Sequence, residues 1–578
     1  MIADIIYDVT SGAGGCGGSL RATGMTATGL RARAYAMNMN WKHESPVGDI
    51  IFVNGRVITG DMVSPVGNSG IAIRAGKIAA VGSDEDVLAW RGKGIEVVDL
   101  QGRAIAPGLN DAHCHPMSVG FALSEVNATT PPNVSIVDIV GRVQERVRET
   151  SPGQWVIARG YDQARLAEQR HPNRHDLDAV SPDHPVIVIR ACGHIAAANS
   201  VALRLAGINR DTADPEGGTI DRDEHGEPIG VMREAAQTLV RNAIPLRSVE
   251  QIKAAIVAAG EDYLAKGVTS FAEAGIYRAE ELRAYSELRS EGKLPVRTYL
   301  MMMIDQTLDD LIALGIRTGF GDEWLRIGPA KFFLDGSIGG RTARMSQPYE
   351  GESDNVGLWM DEDTEAVKAR FIRAHKAGFQ CCAHAIGDAA ITLLLDAYEE
   401  ALAEQPRDDH RHRIEHCSIV DYAMVERIKR IGAIPIPGTT FLYAFKNAYI
   451  QNLGWERIRY AYGMNTFYEH GIVAAASTDA PVVGTSATLG LQTMMTRRSE
   501  EGDVIWEEER VTLDEAVRAY THNGAYASFE EQIKGRLAPG LLGDAVVFET
   551  DITQLDPNDV GAVRVDMTVA DGRVVYER

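Results

Sequence analysis

The chain has 578 residues, 45% of them apolar and 24% charged, with a formal charge of −22 from 58 Lys and Arg against 80 Asp and Glu. That balance supports a large buried core beneath a solvated acidic surface, and it argues against nucleic acid or an acidic membrane as a partner. The length suggests three or four domain-sized units, fewer if one is an α/β barrel, which alone can run past about 250 residues.

Residues 1–46 are rich in Gly, Ala and Thr, lack periodicity and lack the basic-then-apolar order of a signal peptide. They read as a flexible extension, with Met37 and Met39 as alternative starts of the folded chain. A β-rich piece is expected over 47–106: Asn54-Gly55 lies between two β-branched runs as a hairpin signal, and short strands follow at 71–73, 78–81 and 95–99. The other end, 528–578, repeats the style, with strands at 543–548 and 563–569 and a second hairpin signal at Asp571-Gly572. The two pieces are expected to pair into one small β-sandwich.

Between them, over 107–527, strands and helices alternate. Strand-like runs fall at 104–109, 267–271, 296–302, 327–334, 379–382, 411–415, 433–437 and 472–477, and amphipathic stretches include 249–266, 280–289, 362–377 and 389–403. This α/β pattern predicts a (β/α)8 TIM barrel. The first crossover is far longer than usual, so an inserted subdomain is expected over about 116–248, with strands at 155–159 and 185–190, above the barrel mouth. No apolar run reaches the roughly 18–20 residues of a membrane span. The six cysteines, Cys16, Cys114, Cys192, Cys381, Cys382 and Cys417, form no CxxC pair, which reads as reduced thiols in a cytoplasmic protein.

His113 and His115 follow the first of these runs, and residues two apart in an extended chain point the same way. His384, His416 and Asp479 each stand at the end of a later run, where barrel enzymes carry their catalytic groups. Singly, each reads as a structural residue. Together, four imidazoles and a carboxylate on one rim would compete for the same small volume without a cation. Lys331 sits in an otherwise apolar strand; it either pairs with Asp335, Asp479 or Glu273, or captures carbon dioxide as a neutral amine to give a carbamate bridging two metals. The donor set suits Zn²⁺ first, one ion or two, with Fe, Mn, Co or Ni as alternatives. Cys114 and Cys417 adjoin ligand histidines, either as soft donors or, as alternation favours, as core packing.

These residues resemble the amidohydrolase superfamily, in particular its YtcJ-like branch, to which N-substituted formamide deformylase belongs. The likeness runs from about residue 48 to the end and rests on Ala106 through His115, Gly193-His194, Pro215 through Ile220, Lys331 through Ala343, His384 through Asp388, Arg413 through His416, Ser477 through Pro481, and the closing Leu537 through Ala545. It implies a metal-bearing barrel with a split sandwich, His113, His115, His384 and His416 as ligands, Lys331 as a carboxylated bridge, Asp479 as ligand and base, and self-association into a homo-oligomer. Asn110 departs from the Ile usual before the Asp-x-His-x-His motif, and Ile434 through Gly438 lacks the Gln-Pro often found there.

The expected reaction is hydrolysis of an amide-type C–N bond in a small molecule, such as an N-substituted formamide or other N-acyl compound. Metal-activated water is the nucleophile and Asp479 the general base. His194 and Arg341 are candidates for binding or polarising the substrate, or are structural; Glu234 and Asp388 are weaker candidates around the site. Phe441, Tyr443 and Phe445 suggest an apolar substrate group, an exposed lid or an oligomer contact. A deaminase or an ester or carbamate hydrolase on the same fold is the alternative; related deaminases carry a proton-shuttling Glu three residues after the fifth-strand His, where this chain has Gly387. A non-catalytic binding protein on a retired barrel would have lost a ligand or the base, and none is lost.

Overall fold

A computed structural model describes residues 48–61, 69–191 and 193–578. The extension expected over 1–46, together with Cys16 and Cys192, lies outside these residues.

Seven parallel strands form one sheet in chain order: β1 (Leu109–Cys114), β2 (Val268–Ile276), β3 (Arg297–Met303), β4 (Leu325–Phe333), β5 (Cys381–Ala385), β6 (Arg413–His416) and β7 (Ile434–Ile436). An eighth, extended segment bridges the two remaining edges. Ala475 N donates to Pro435 O (3.1 Å) and Ser477 N to Pro437 O (3.2 Å) on one side; on the other, Ala112 N donates to Ala476 O (3.1 Å) and Asp479 N to His113 O (2.8 Å). The result is a TIM-barrel-like α/β ring, with the C-terminal ends of all strands on one rim.

Helices follow most strands and cover the ring. Helix Thr364–Lys376 is representative: Asp363 caps its N-terminus, and Val367, Phe371, Ala374 and His375 recur at helical spacing as its buried face. Helix Val249–Leu264 opens on a capping box between Ser248 and Gln251. No helix among the described residues is long and apolar enough to cross a membrane.

The run 104–109 divides differently from expectation. Ala104–Pro107 pairs antiparallel with Ala545–Phe548 outside the ring, and the first ring strand starts only at Leu109. Gly108 is the crossing point, where a Cβ would lie 2.1 Å from Thr269 Oγ1, so only a glycine fits. His113 therefore lies inside β1 rather than after a strand.

The two hairpin signals also part company. Asp571 and Gly572 both adopt positive φ (48° and 69°) and join Val565–Ala570 to Arg573–Glu577 as an antiparallel pair, as a type I′ turn requires. At Asn54-Gly55 only Asn54 has positive φ (55°), and no hairpin forms. Ile50–Val53 pairs with Gly70–Arg74 and Glu96–Asp99, whereas Arg56–Val57 pairs with Ala104–Pro107 in another sheet. The four-stranded sheet at the N-terminal end and the five-stranded sheet drawn from both ends share one apolar core, including Phe52, Ile73, Ile105, Val547 and Val569. Buried Arg297 of β3 ties the ring to this region: its guanidinium donates to Asp544 (2.7 and 3.1 Å) and to Asp571, and lies over the Trp324 ring.

Residues after β1 form a separate six-stranded sheet, ordered Gly218–Arg222, Pro228–Glu234, Ile195–Ala198, Val186–Arg190, Val156–Tyr161 and Val126–Asn127. It carries two apolar clusters of its own.

Three buried histidines lie near the starts of β5 and β6. Cys381 N donates to His412 Nδ1 (2.9 Å), so His412 Nε2 carries the proton and donates to His375 Nδ1 (2.9 Å), and His375 Nε2 donates to Gln405 O (2.7 Å). His412 N donates to His410 Nδ1 (3.0 Å), and His410 Nε2 donates to Ile431 O (2.8 Å). All three rings are thus held neutral, and burial pushes each below the ordinary imidazole range. Below the ordinary value of 6.5 the unfolded chain takes up protons that the folded chain refuses, so these groups remove stability as the pH falls. Burial holds the carboxyls of Asp111, Glu273 and Asp335 up at about 7, and they act with the opposite sign. A variant therefore isolates the histidine contribution. His412→Gln is expected to change the slope of stability with pH, below about 6.5, by up to about 1.4 kcal/mol per pH unit in the direction of less acid sensitivity. Urea unfolding at several pH values measures this, and an unchanged slope refutes the neutral assignment.

Candidate metal centre

The six residues singled out in the sequence all lie at the C-terminal ends of ring strands and are 0–8% exposed. His113 is in β1, and His115 follows it, opening helix Pro116–Ser124. Lys331 is in β4, His384 in β5, His416 ends β6, and Asp479 ends the bridging segment. Ligating atoms of His113, His115 and Asp479 all fall within 4.8 Å of one another. The His416 ring centroid lies 4.8 Å from that of His113 and 4.5 Å from that of His384, so the imidazoles form a continuous row.

Strict alternation would put Glu415 and His416 on opposite faces of β6, yet both reach the site. His416 is in the left-handed region (φ 68°), as are Cys417 (43°) and Asp479 (57°). Such non-glycine conformations cost about 1–3 kcal/mol each and cluster where function demands a direction the regular strand does not offer. Phe441 is buried with its ring nearly parallel to that of His416, at 6.0 Å.

Buried carboxylates orient the rings. Glu415 Oε2 lies 2.5 Å from His113 Nδ1, and Arg413 donates to both oxygens of Glu415 (2.7 and 2.9 Å). Glu273 accepts from Tyr285 Oη (2.7 Å) and Met117 N (3.1 Å), and stands 4.0 Å from His115 Nδ1. Asp335 accepts the backbone N–H groups of Arg344, Ile386 and Gly387, which fixes the loops on either side of His384. Asp111 accepts from Thr478 N (3.0 Å) and Thr478 Oγ1 (2.5 Å), across the seam between β1 and the bridging segment. Glu415 and Asp111 stand in motifs visible in the sequence, but nothing in their spacing says which histidine or strand each one holds.

His113 donates through Nδ1 and His384 through Nε2 to Gly336 O (2.9 Å), leaving lone pairs on His113 Nε2 and His384 Nδ1. Burial drives His113 and His416 well below the ordinary imidazole range and His384 down to about 3, so all three are neutral bases. Among the described residues His384 Nδ1, His416 Nδ1, Lys331 Nζ and both Asp479 oxygens are buried without a hydrogen-bond partner. Asp479 Oδ1 faces His113 Nε2 at 3.5 Å and His115 Nε2 at 3.3 Å. A bare lone pair opposite a carboxylate is repulsive unless a cation lies between them. The donor set therefore fits a divalent metal.

Lys331 pairs with none of the three carboxylates considered for it; its amine lies 5.0 Å from the Phe333 ring centroid, and burial lowers its proton affinity. Cys114 Sγ points to Ala272 O (3.7 Å), and burial pushes the thiols of Cys114 and Cys417 up, so both stay protonated and pack in the core.

The weaker candidates each have a partner of their own. His194 lies at the start of Ile195–Ala198 in the inserted sheet, its ring half-exposed, 2.8 Å from Glu234. Arg341 is engaged by Glu352 and by Asn452 (2.9 Å). Asp388 accepts from Ser346 and opens helix Asp388–Glu404. Tyr443 and Phe445 are partly exposed on helix Phe441–Arg457.

Comparison with known proteins gives the family. The profile of the amidohydrolase family matches residues 96–576. The chain is 30% identical over 490 residues to the putative amidohydrolase YtcJ of Bacillus subtilis, covering 84% of this chain and 91% of that one. It is 28% identical to N-substituted formamide deformylase of Arthrobacter pascens, covering 92% and 98%. Among solved structures, a metal-dependent hydrolase of Pyrococcus furiosus superposes with a TM-score of 0.73 at 28% identity, over 88% of this chain and all of that one.

An unpaired buried amine destabilises the metal-free protein. Lys331→Met is expected to stabilise metal-free protein by about 1–3 kcal/mol in urea unfolding while lowering its metal content on reconstitution. A less stable variant would show that the amine has a partner.

Proposed function

This chain belongs to the amidohydrolase family, and we propose that it is a metal-dependent hydrolase of an amide-type C–N bond in a small molecule. The observation that carries this reading is the buried row of imidazoles facing Asp479, whose oxygens have no hydrogen-bond partner and lie 3.5 Å from His113 Nε2 and 3.3 Å from His115 Nε2. His113, His115, His384, His416 and Asp479 would hold the cation, with Zn²⁺ favoured by this nitrogen and oxygen donor set. When bound, such a cation polarises the scissile carbonyl and brings the pKa of water towards about 7.

The residues supply the rest. Asp479 accepts the proton of the attacking water and delivers it to the departing amine as the C–N bond breaks. The buried histidines keep their lone pairs because burial refuses them protons. Lys331 decides between one ion and two: a neutral amine is the form that captures carbon dioxide, and the two carbamate oxygens would serve two ions. His194 and Arg341 are the proposed groups for binding or polarising the substrate.

Similarity to the Arthrobacter deformylase makes N-substituted formamides the first substrates to assay, followed by other N-acyl compounds, esters and carbamates. Ring deamination through a glutamate at position 387 is disfavoured sterically, since a Cβ there would lie 1.9 Å from Arg344 O. The acidic charge and the four buried free thiols, Cys114, Cys381, Cys382 and Cys417, support a cytoplasmic location, and the resemblance supports self-association.

Metal analysis and kinetics test the proposal. Purified protein is expected to carry one or two divalent ions per chain and to lose activity on chelation. Asp479→Asn is expected to lower kcat by about 10²–10⁴-fold. Turnover by metal-free protein, full activity in the variant, or ammonia release from aminoheterocycles as the only reaction would each overturn it.

A further inference from the structure

We propose that Glu415, backed by Arg413, is the positioning residue that fixes the tautomer of His113 and so presets the centre for its cation. The proposal rests on the metal-hydrolase reading and adds how the chain prepares one ligand.

A carboxylate can only accept, so the 2.5 Å contact between Glu415 Oε2 and His113 Nδ1 requires the proton to sit on Nδ1. The lone pair is then on Nε2, which faces Asp479. The opposite tautomer would set two lone pairs against each other at that contact and turn an N–H towards the metal position.

Glu415 is fully buried and 1% exposed Arg413 neutralises it in a bidentate pair, Nε to Oε1 at 2.7 Å and Nη2 to Oε2 at 2.9 Å. Arg413 Nη2 also donates to Ala112 O (2.6 Å), the carbonyl just before His113. One arginine on β6 thus fixes both the carboxylate that holds the ring and the backbone that carries it. The Nδ1 side of His115 is held less closely: Glu273 stands 4.0 Å from that nitrogen and is bonded by Tyr285 and Met117. A purely structural ion pair between Arg413 and Glu415 would affect stability alone, whereas a ligand-orienting pair sets metal affinity as well.

The full chain, stripped of metal and labelled with ¹⁵N-histidine, provides the test. A strongly downfield Nδ1–H resonance is expected, assigned to His113 by its loss in His113→Gln and shifted or lost in Glu415→Asp. Glu415→Asp keeps the charge against Arg413 but withdraws the carboxylate by one methylene, and Glu415→Gln removes the charge. In titrations with Co²⁺ followed by its visible absorption, both variants are expected to bind about 10–100-fold more weakly, with the unfolding midpoint of Glu415→Asp close to that of the parent. A folded Glu415→Asp protein that binds Co²⁺ like the parent overturns the proposal. So does a metal-free parent in which His113 bears no proton on Nδ1, a result that needs no variant to fold. If the parent itself binds no Co²⁺ while the His113 resonance still depends on Glu415, the metal reading fails and the tautomer assignment stands.

Discussion

The hydrogen bonds that close the ring hold the rest of the structure in place. Residues 475–479 bond to Pro435 and Pro437 on one side and to Ala112 and His113 on the other, so the segment that completes the sheet also ends on Asp479. Asp111 secures the same seam by accepting from both the backbone and the hydroxyl of Thr478. Closure brings residues 113 and 479, far apart in the chain, to within 3.5 Å at their side chains. Opening the seam would remove the carboxylate from the imidazoles and expose two sheet edges together.

Around that seam the chain tolerates arrangements that would otherwise be unstable. Neutral histidines stand in a row, an amine is buried without a partner, and three non-glycine residues adopt left-handed backbone. Each lowers the stability of the metal-free fold, and a bound cation would offset them together by binding the folded state alone. The surrounding carboxylates differ in having hydrogen-bond partners. Glu415, Glu273, Asp335 and Asp111 are bonded to fixed donors, so they orient the centre without competing for its open positions.

The two-ended β-rich region shares the ring's apolar core through Ala106, Val546, Phe548 and Val565, and polar contacts add to that join. Arg297 reaches from β3 to Asp544 and Asp571 at the C-terminal end, and helix Pro116–Ser124 lies against helix Val249–Leu264. The inserted sheet keeps two apolar clusters separate from that of the ring.

The sequence by itself determined the alternation of strands and helices, the chemical identity of the donor set and its place at strand ends, because periodicity and residue type are local properties. It also marked the Asp571-Gly572 turn, where two positive φ angles are required of adjacent residues. Local signals misplaced the start of the first ring strand and read Asn54-Gly55 as a hairpin, since which sheet a strand joins depends on partners hundreds of residues away. Only the tertiary structure decided that Glu415 holds His113, that Lys331 has no carboxylate partner, and that His416 turns out of alternation into the site. Those facts depend on distances across the ring and on burial, and neither exists until the seam has closed.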